Sequence, residues 1–391
     1  MVSSNSDGGY WTTDAQGKLT ESTANDNWNV KYDPNSATLT LSGATIQGGN
    51  STVSVPHGAG IYAQCNSGES VSLTIELIGE NTITGYYGIY VDAQQGETVG
   101  TNASLLIRNS SDNGILEVSG SNHGIFVKSG TGNASLNIEK ATVTSSTDGE
   151  YAAGVYVMSS MHATSSPQLS LKVNGGSLTT SGSASGEGIK FYVGAPKATN
   201  ATTSLTVTDN AIVDAKNGGI SAKQISSPIN TDISAPGSNG GIVFDGTEGT
   251  VYGSVTLQDD LTIGAGETLT VPSGSSLNAN GKLTNEGTIN VESGGSVSGK
   301  LSGGTTITTP TINAPPQDKK VQAGSTAEFS VTASAGEGEQ LTYQWQQKAT
   351  VTESEWEDIT NAINASYTTA PTTTDMSGYQ YRCVVKSASG V

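Results

Sequence analysis

Three short apolar patterns cycle along this chain in a fixed order, and no other feature constrains its fold as tightly. A leucine-led segment reads LTL from Leu39, LTI from Leu73, LLI from Leu105, LNI from Leu136, LSL from Leu169 and LTV from Leu205, so it returns every 31 to 36 residues. A second follows each of these, at Ile46, Ile83, Leu116, Val143, Leu178 and Val213. A third opens on glycine: GIY at Gly60 and Gly88, GIF at Gly124, GVY at Gly154, GIK at Gly188, GIS at Gly219 and GIV at Gly241. Each segment is too short to bury a face by itself, so successive copies must stack on one another, about 4.8 Å per step. Three strands per turn, repeated six or seven times, predict a right-handed parallel β-helix. Insertions such as AQQGETVGTN, SSMHATSSPQ and KQISSPIN fall between the segments, at the corners, where they leave the core undisturbed.

Composition agrees with that reading. The chain holds 50 glycines, only 13% charged residues and abundant Ser, Thr and Asn, which favours strands and turns over helices. Sequons at Asn50, Asn102, Asn133 and Asn200 read as turn residues. After about residue 245 the period shortens, with the pairs Leu261/Ile263, Leu269/Val271 and Ile289/Val291 between glycine turns. Alternating apolar residues favour narrow rungs there over a flexible linker. Ahead of the first rung, Trp11 and Trp28 suit an aromatic cap over the open end of the core. The expected divisions are a cap over 1–35, a β-helix over 36–305 with full rungs to about 245 and shorter ones over 246–305, and a separate module over 311–391.

That module follows Pro310, Pro315 and Pro316 and contains the alternating runs AEFSVTA, LTYQWQQ and GYQYRCVV. Trp345, together with Asp375, Gly378, Tyr381 and Cys383 in a D-x-x-G-x-x-Y-x-C arrangement, resembles an immunoglobulin-like domain. Val331 stands where that fold usually places its first disulfide cysteine. The resemblance therefore implies no internal disulfide and a core of Val331, Trp345, Tyr381 and Cys383, with Trp356 bracing a neighbouring strand. Such modules act as spacers. The run SASGV ends where the last strand of that fold would begin, and the opening residues lack the charged and apolar regions of a signal peptide. A mature piece of a longer protein is expected.

With 35 acidic against 17 basic residues the net charge is -18, which disfavours nucleic acid and anionic membranes as partners. No apolar run of about 18 residues is present to span a bilayer. Cys65 and Cys383, the two cysteines, make no disulfide framework or metal motif.

Catalytic tools are sparse. The Asp259–Asp260 pair reads as a turn, because adjacent strand residues face opposite ways. Arg108, with Asp112 near it, reads as a surface charge, and Arg382 lies in the C-terminal module. His57, His123 and His162 lack metal-ligand spacing. The constellation that exceeds structural need is in the third segment. Ile61, Ile89, Ile125, Val155, Ile189, Ile220 and Ile242 alternate with Ala63, Val91, Val127, Val157, Phe191, Ala222 and Phe244, and both sets must point inward. The residues between face out: Tyr62, Tyr90, Phe126, Tyr156, Lys190, Ser221 and Val243. Four aromatic residues in succession form a ladder that could stack on sugar rings, with Tyr86, Tyr87 and Tyr151 nearby. The competing reading is that the rings stack on one another and staple the sheet. An acidic glycan would also need Lys128, Lys190 or a bridging Ca²⁺ to offset the net charge.

The phrases SATLTLSGATI, LTIELIGENTITG, YGIYV and LTNEGTINV resemble a family of secreted β-helical proteins of gut and cellulolytic Firmicutes with a pectate-lyase-like fold. The resemblance covers residues 9 to about 305 and implies carbohydrate binding or cell adhesion, in some relatives with calcium and polygalacturonate. Its motifs specify rungs and carry no calcium ligand over to a matching position here, so no cofactor is assigned. The expectation is a non-catalytic, extracellular, cell-surface protein, monomeric, whose β-helix contacts a glycan or a host or cell-wall surface. A polysaccharide lyase or hydrolase and a purely structural stalk are the alternatives.

Overall fold

A computed structural model describes the chain except residues 1–7, 25–26, 50–57, 67, 96–97, 100, 111–112, 161–165, 184, 197, 199, 304, 309, 336–339, 350–354 and 388–391. Asn50, His57, Asp112, His162 and the end of the SASGV run lie outside the described residues. The protein is all-β, 60% strand and 1% helix, and is built on a parallel β-solenoid of about six turns. It divides into two compact units, Met1–Val255 and Thr256–Val391.

In the first unit the three predicted stacks are all present. The first runs through Thr38–Ser42, Val71–Ile78, Ala103–Asn109, the starts of Ala134–Thr147 and Gln168–Ser181, Thr202–Thr208 and Thr231–Ser234, every pairing parallel. Leu73, Leu105 and Leu136 align as the repeat suggests, but Leu136 pairs with Leu171 rather than Leu169, and Leu39 pairs with Ile75. The physical reason is the period of two: sliding a strand by two residues keeps every side chain on its face, so the apolar pattern alone cannot choose between such registers.

The second stack passes through Thr45–Gln47, the starts of Glu80–Asp92 and Ile115–Ser129, the ends of Ala134–Thr147 and Gln168–Ser181, and Ala211–Asn217. Gly241–Asp245 joins this stack, pairing with Ala211–Ala215. Its assignment to the third stack is therefore corrected. Val243 lies in the main core, while Ile242 and Phe244 face away from that core beneath the antiparallel partner Glu248–Tyr252. The third stack ends at Ile220–Gln224, which turns back antiparallel onto Ser227–Pro228.

Leu, Ile and Val from all three stacks fill one continuous core. Its polar members are placed, not accidental. Asn81, 1% exposed, accepts the Ala44 N–H at 2.9 Å and donates to the carbonyls of Ile78, Gly79 and Ile115, tying three rungs together. At the corner before the first stack, Asn102 and Asn133 accept the backbone N–H of Asn133 and Gln168, each at 2.8 Å, which gives these sequon asparagines a turn-capping role. The glycine that opens each third-stack strand sits where rungs crowd: a Cβ on Gly124 would lie 2.3 Å from Ser145 Oγ and 2.6 Å from the Gly154 carbonyl.

The N-terminal end carries antiparallel strands in which Gly9–Thr13 lies between Leu19–Ser22 and Val30–Asp33, the last pairing with Thr38–Ser42. Trp11 packs on the core as a cap should, whereas Trp28 instead meets Tyr10, ring centroids 5.7 Å apart.

In the second unit, parallel strands align Leu261 with Leu283, Leu269 with Ile289 and Leu277 with Val297, 20 to 22 residues apart. Small antiparallel sheets follow, compatible with a β-sandwich. The largest sets Leu341–Lys348 between Glu357–Asp358 and Gln380–Ser387. Trp345 is fully buried against Val331 and Ala362, pairs across strands with Cys383, and donates from Nε1 to the Asn364 carbonyl at 2.9 Å. Tyr381 stacks on Phe329 at 4.8 Å, and Tyr381 and Cys383 pack, partly buried, against the cluster of Val331, Trp345 and Ala362. Half-buried Trp356 lies 4.5 Å beneath the Arg382 guanidinium. Both cysteines are free.

Candidate functional site

The ladder forms in the predicted register: Tyr62 pairs with Tyr90, Tyr90 with Phe126, Phe126 with Tyr156, Tyr156 with Lys190 and Lys190 with Ser221. Its rings point away from the solenoid core, as alternation requires, into a satellite cluster of their own. Exposure is where expectation and structure part. Tyr90 is only 5% and Phe126 only 6% exposed, while Tyr62 and Tyr156 are half-buried. Tyr90 and Phe126 stack at 4.7 Å with planes 4° apart, and Phe126 and Tyr156 at 4.8 Å and 9°.

A second tier closes over them. Tyr87 lies 4.8 Å from Tyr90, and His123 lies 5.2 Å from Phe126 and 4.7 Å from Tyr156. A register irregularity between Gly120 and His123 sets His123 opposite Tyr87. The strict alternation used to read the sequence has no place for such a residue, which is why His123 was missed. Tyr86 stands edge-on to Tyr87, and Asn122 Nδ2 donates to both hydroxyls. Tyr151, by contrast, is exposed.

The polar groups around the ladder are already engaged. Buried Asp92 accepts from the Tyr90 hydroxyl at 2.7 Å and from the Gln94 N–H at 2.8 Å, with Lys128 Nζ at 3.8 Å. Lys190 pairs with Glu187 at 3.2 Å and lies 5.6 Å over the Tyr156 ring. Burial raises the pKa of Tyr62, Tyr90 and Tyr156 and pushes that of Tyr87 up to about 12, so these hydroxyls stay protonated. Burial, reinforced by the Lys190 charge, holds His123 down to about 4. Its Nδ1 accepts the Ala153 N–H at 2.9 Å and cannot take a proton without losing that bond.

The open surface lies on the second stack. Two outward rows run along it in register: Thr45, Thr82, Glu117, Thr144, Thr179 and Asp214, and beside it Gln47, Thr84, Ser119, Ser146, Ser181 and Asn217. Glu117, Thr144 and Thr179 are exposed and Ser119, Ser146 and Ser181 half-exposed. Strand geometry spaces such hydroxyls about 4.8 Å from rung to rung and about 6.6 Å between rows. Comparison with protein-family models, curated proteins and solved structures finds no significant match for the chain.

Asp259 and Asp260 occupy an exposed bend, Asp260 3.6 Å from Lys282. Arg108 pairs with Glu76 at 3.2 Å. Among the described residues no three His, Cys, Asp or Glu side chains converge as a metal site, and no helix is long and apolar enough to cross a membrane.

Proposed function

We propose that this chain is the non-catalytic binding part of an extracellular, cell-surface adhesin-like protein of a bacterium, holding an extended glycan against the open face of its solenoid. The C-terminal sheets serve as an immunoglobulin-like spacer, and the protein works as a monomer. The observation that carries this reading is the double row of hydroxyls on the second stack. Over its central rungs, before the register shift between Thr179 and Ser181, the lattice repeats at each step and offers many weak, similar hydrogen bonds to a polymer while enclosing no single bond for cleavage. Glu117 and Asp214 stand three rungs apart in that row, about 14 Å at ~4.8 Å per rung. Paired carboxylates cleave glycosidic bonds only across roughly 5–9.5 Å. The aromatic ladder, with its middle rings covered, acts as the staple that keeps the neighbouring face flat.

The test is retention of the full chain in gels containing soluble polysaccharides, guided by a glycan array. Replacing Thr144, Ser146, Thr179 and Ser181 together by alanine should weaken retention at least tenfold and leave the melting temperature nearly unchanged. A chain that binds no glycan is a stalk, and unsaturated product released from uronans makes it a lyase; either outcome overturns the proposal.

A further inference from the structure

The cap carries a cleft of its own. An open cleft of about 420 Å³ lies at the ends of its strands, lined by Gly8, Gly9, Tyr10, Lys31, Tyr32, Asp33, Pro34 and Asn35, within the roughly 300–1,000 Å³ of small-ligand sites. One wall is bare backbone, because a Cβ on Gly8 would lie 2.5 Å from the Tyr32 carbonyl oxygen and 2.8 Å from Pro34 Cδ. Tyr10 is a fixed wall, its ring set against Trp28 at 5.7 Å and beneath Lys31 Nζ at 5.8 Å.

Charge narrows what the cleft can take. Within the cleft Lys31 is the one basic residue; its charge acts on nearby Asp33, and among the described residues it forms no ion pair within 4.0 Å. Asp33, the acid beside it, is spent in part on its own turn, accepting the Asn35 N–H at 3.1 Å and the Ser36 hydroxyl at 2.8 Å. A carboxylate offers about four acceptor positions, so Asp33 keeps acceptor capacity for a hydroxyl donor beyond its bonds to Ser36 and Asn35. An aromatic wall, an ammonium with no ion pair within 4.0 Å and a carboxylate with acceptor capacity left complement one ligand class: a sugar that bears a single acidic group and several hydroxyls.

We infer that the cap cleft binds the acidic sugar at the end of a glycan, its anionic group on Lys31, its hydroxyls on Asp33 and its apolar face along Tyr10. This rests on the reading of the chain as a glycan binder but places a second contact away from the hydroxyl face. The acidic group could be a carboxylate or a sulfate ester. The probes are therefore sialyllactose and 6-sulfo-N-acetylglucosamine, with lactose as the neutral control, followed by saturation-transfer NMR and calorimetry on the full chain.

One or both acidic probes should bind, at least tenfold more tightly than lactose and more weakly as salt rises. Lys31→Met should abolish that preference, Tyr10→Ala should lose binding, and Tyr10→Phe should keep it, which separates loss of the ring from loss of the fold. Equal binding of lactose, or undiminished binding by Lys31→Met, overturns the inference. So does silence from all three probes; if polysaccharide retention persists in that case, the cleft fails while glycan binding by the solenoid stands.

Discussion

Replacing Phe126 by alanine separates a ladder that staples the sheet from one that waits for a ligand. Phe126 is 6% exposed and touches four rings: Tyr90 at 4.7 Å, Tyr156 at 4.8 Å, His123 at 5.2 Å and Tyr87 at 5.7 Å. Truncating a phenylalanine buried to this extent costs about 3–5 kcal/mol, transfer and cavity together. The two near-parallel stacks account for about 1–3 kcal/mol of that, at about 0.5–1.5 kcal/mol per ring pair. Phe126→Leu should therefore lose roughly the smaller amount and Phe126→Ala the larger. Against a total stability of about 5–15 kcal/mol, the alanine variant gives up a large share.

Tryptophan fluorescence would report on the rungs only through Trp11 at the cap, because Trp28 packs on Tyr10 and Trp345 and Trp356 lie in the C-terminal unit. Urea unfolding followed by near-ultraviolet dichroism, with hydrogen exchange read on peptides from Glu80–Asp92, Ile115–Ser129 and Ala153–Ser159, reports on the rungs themselves. Exchange should accelerate in those three strands first, since a solenoid rung depends on its nearest neighbours. A loss below about 1 kcal/mol with unchanged exchange would refute the staple and return the rings to the role of an open platform.

Two further outcomes follow from buried polar groups. His123 has a folded-state pKa of about 4 against an ordinary 6.5, so between these values the unfolded chain takes up a proton that the folded chain refuses. Stability present above pH 6.5 should fall by about 3 kcal/mol as the pH drops to 4, at about 1.4 kcal/mol per unit. Melting curves at several pH values should show this slope shrinking in His123→Asn. Asn81→Ala removes the acceptor for the Ala44 N–H and the donor to three carbonyls at once. With about 1–3 kcal/mol for each buried group left unsatisfied, partly offset by water, a loss of about 2–4 kcal/mol is expected in urea unfolding.

The repeated strands, their inward faces and the order Tyr62, Tyr90, Phe126, Tyr156, Lys190 were legible in the sequence because parallel stacking reproduces one local pattern on every rung, and alternation alone decides which side chains share a row. The cluster of Val331, Trp345, Tyr381 and Cys383 was expected from a resemblance, that of the D-x-x-G-x-x-Y-x-C arrangement to an immunoglobulin-like domain, and not from alternation. Only the tertiary structure decided the rest. It moved Gly241–Asp245 to the second stack and Leu171, not Leu169, opposite Leu136, since a two-residue slide preserves every face and leaves no trace in the apolar pattern.

It also decided that an outward ring need not be an exposed one. Pointing away from the core is a property of a strand, but exposure depends on what else reaches the same place. Here Tyr87 and His123 arrive through an irregularity that breaks the period. The hydroxyl rows were always in the sequence as scattered Thr and Ser; they became a surface only when stacking brought residues some thirty positions apart to within one rung of each other.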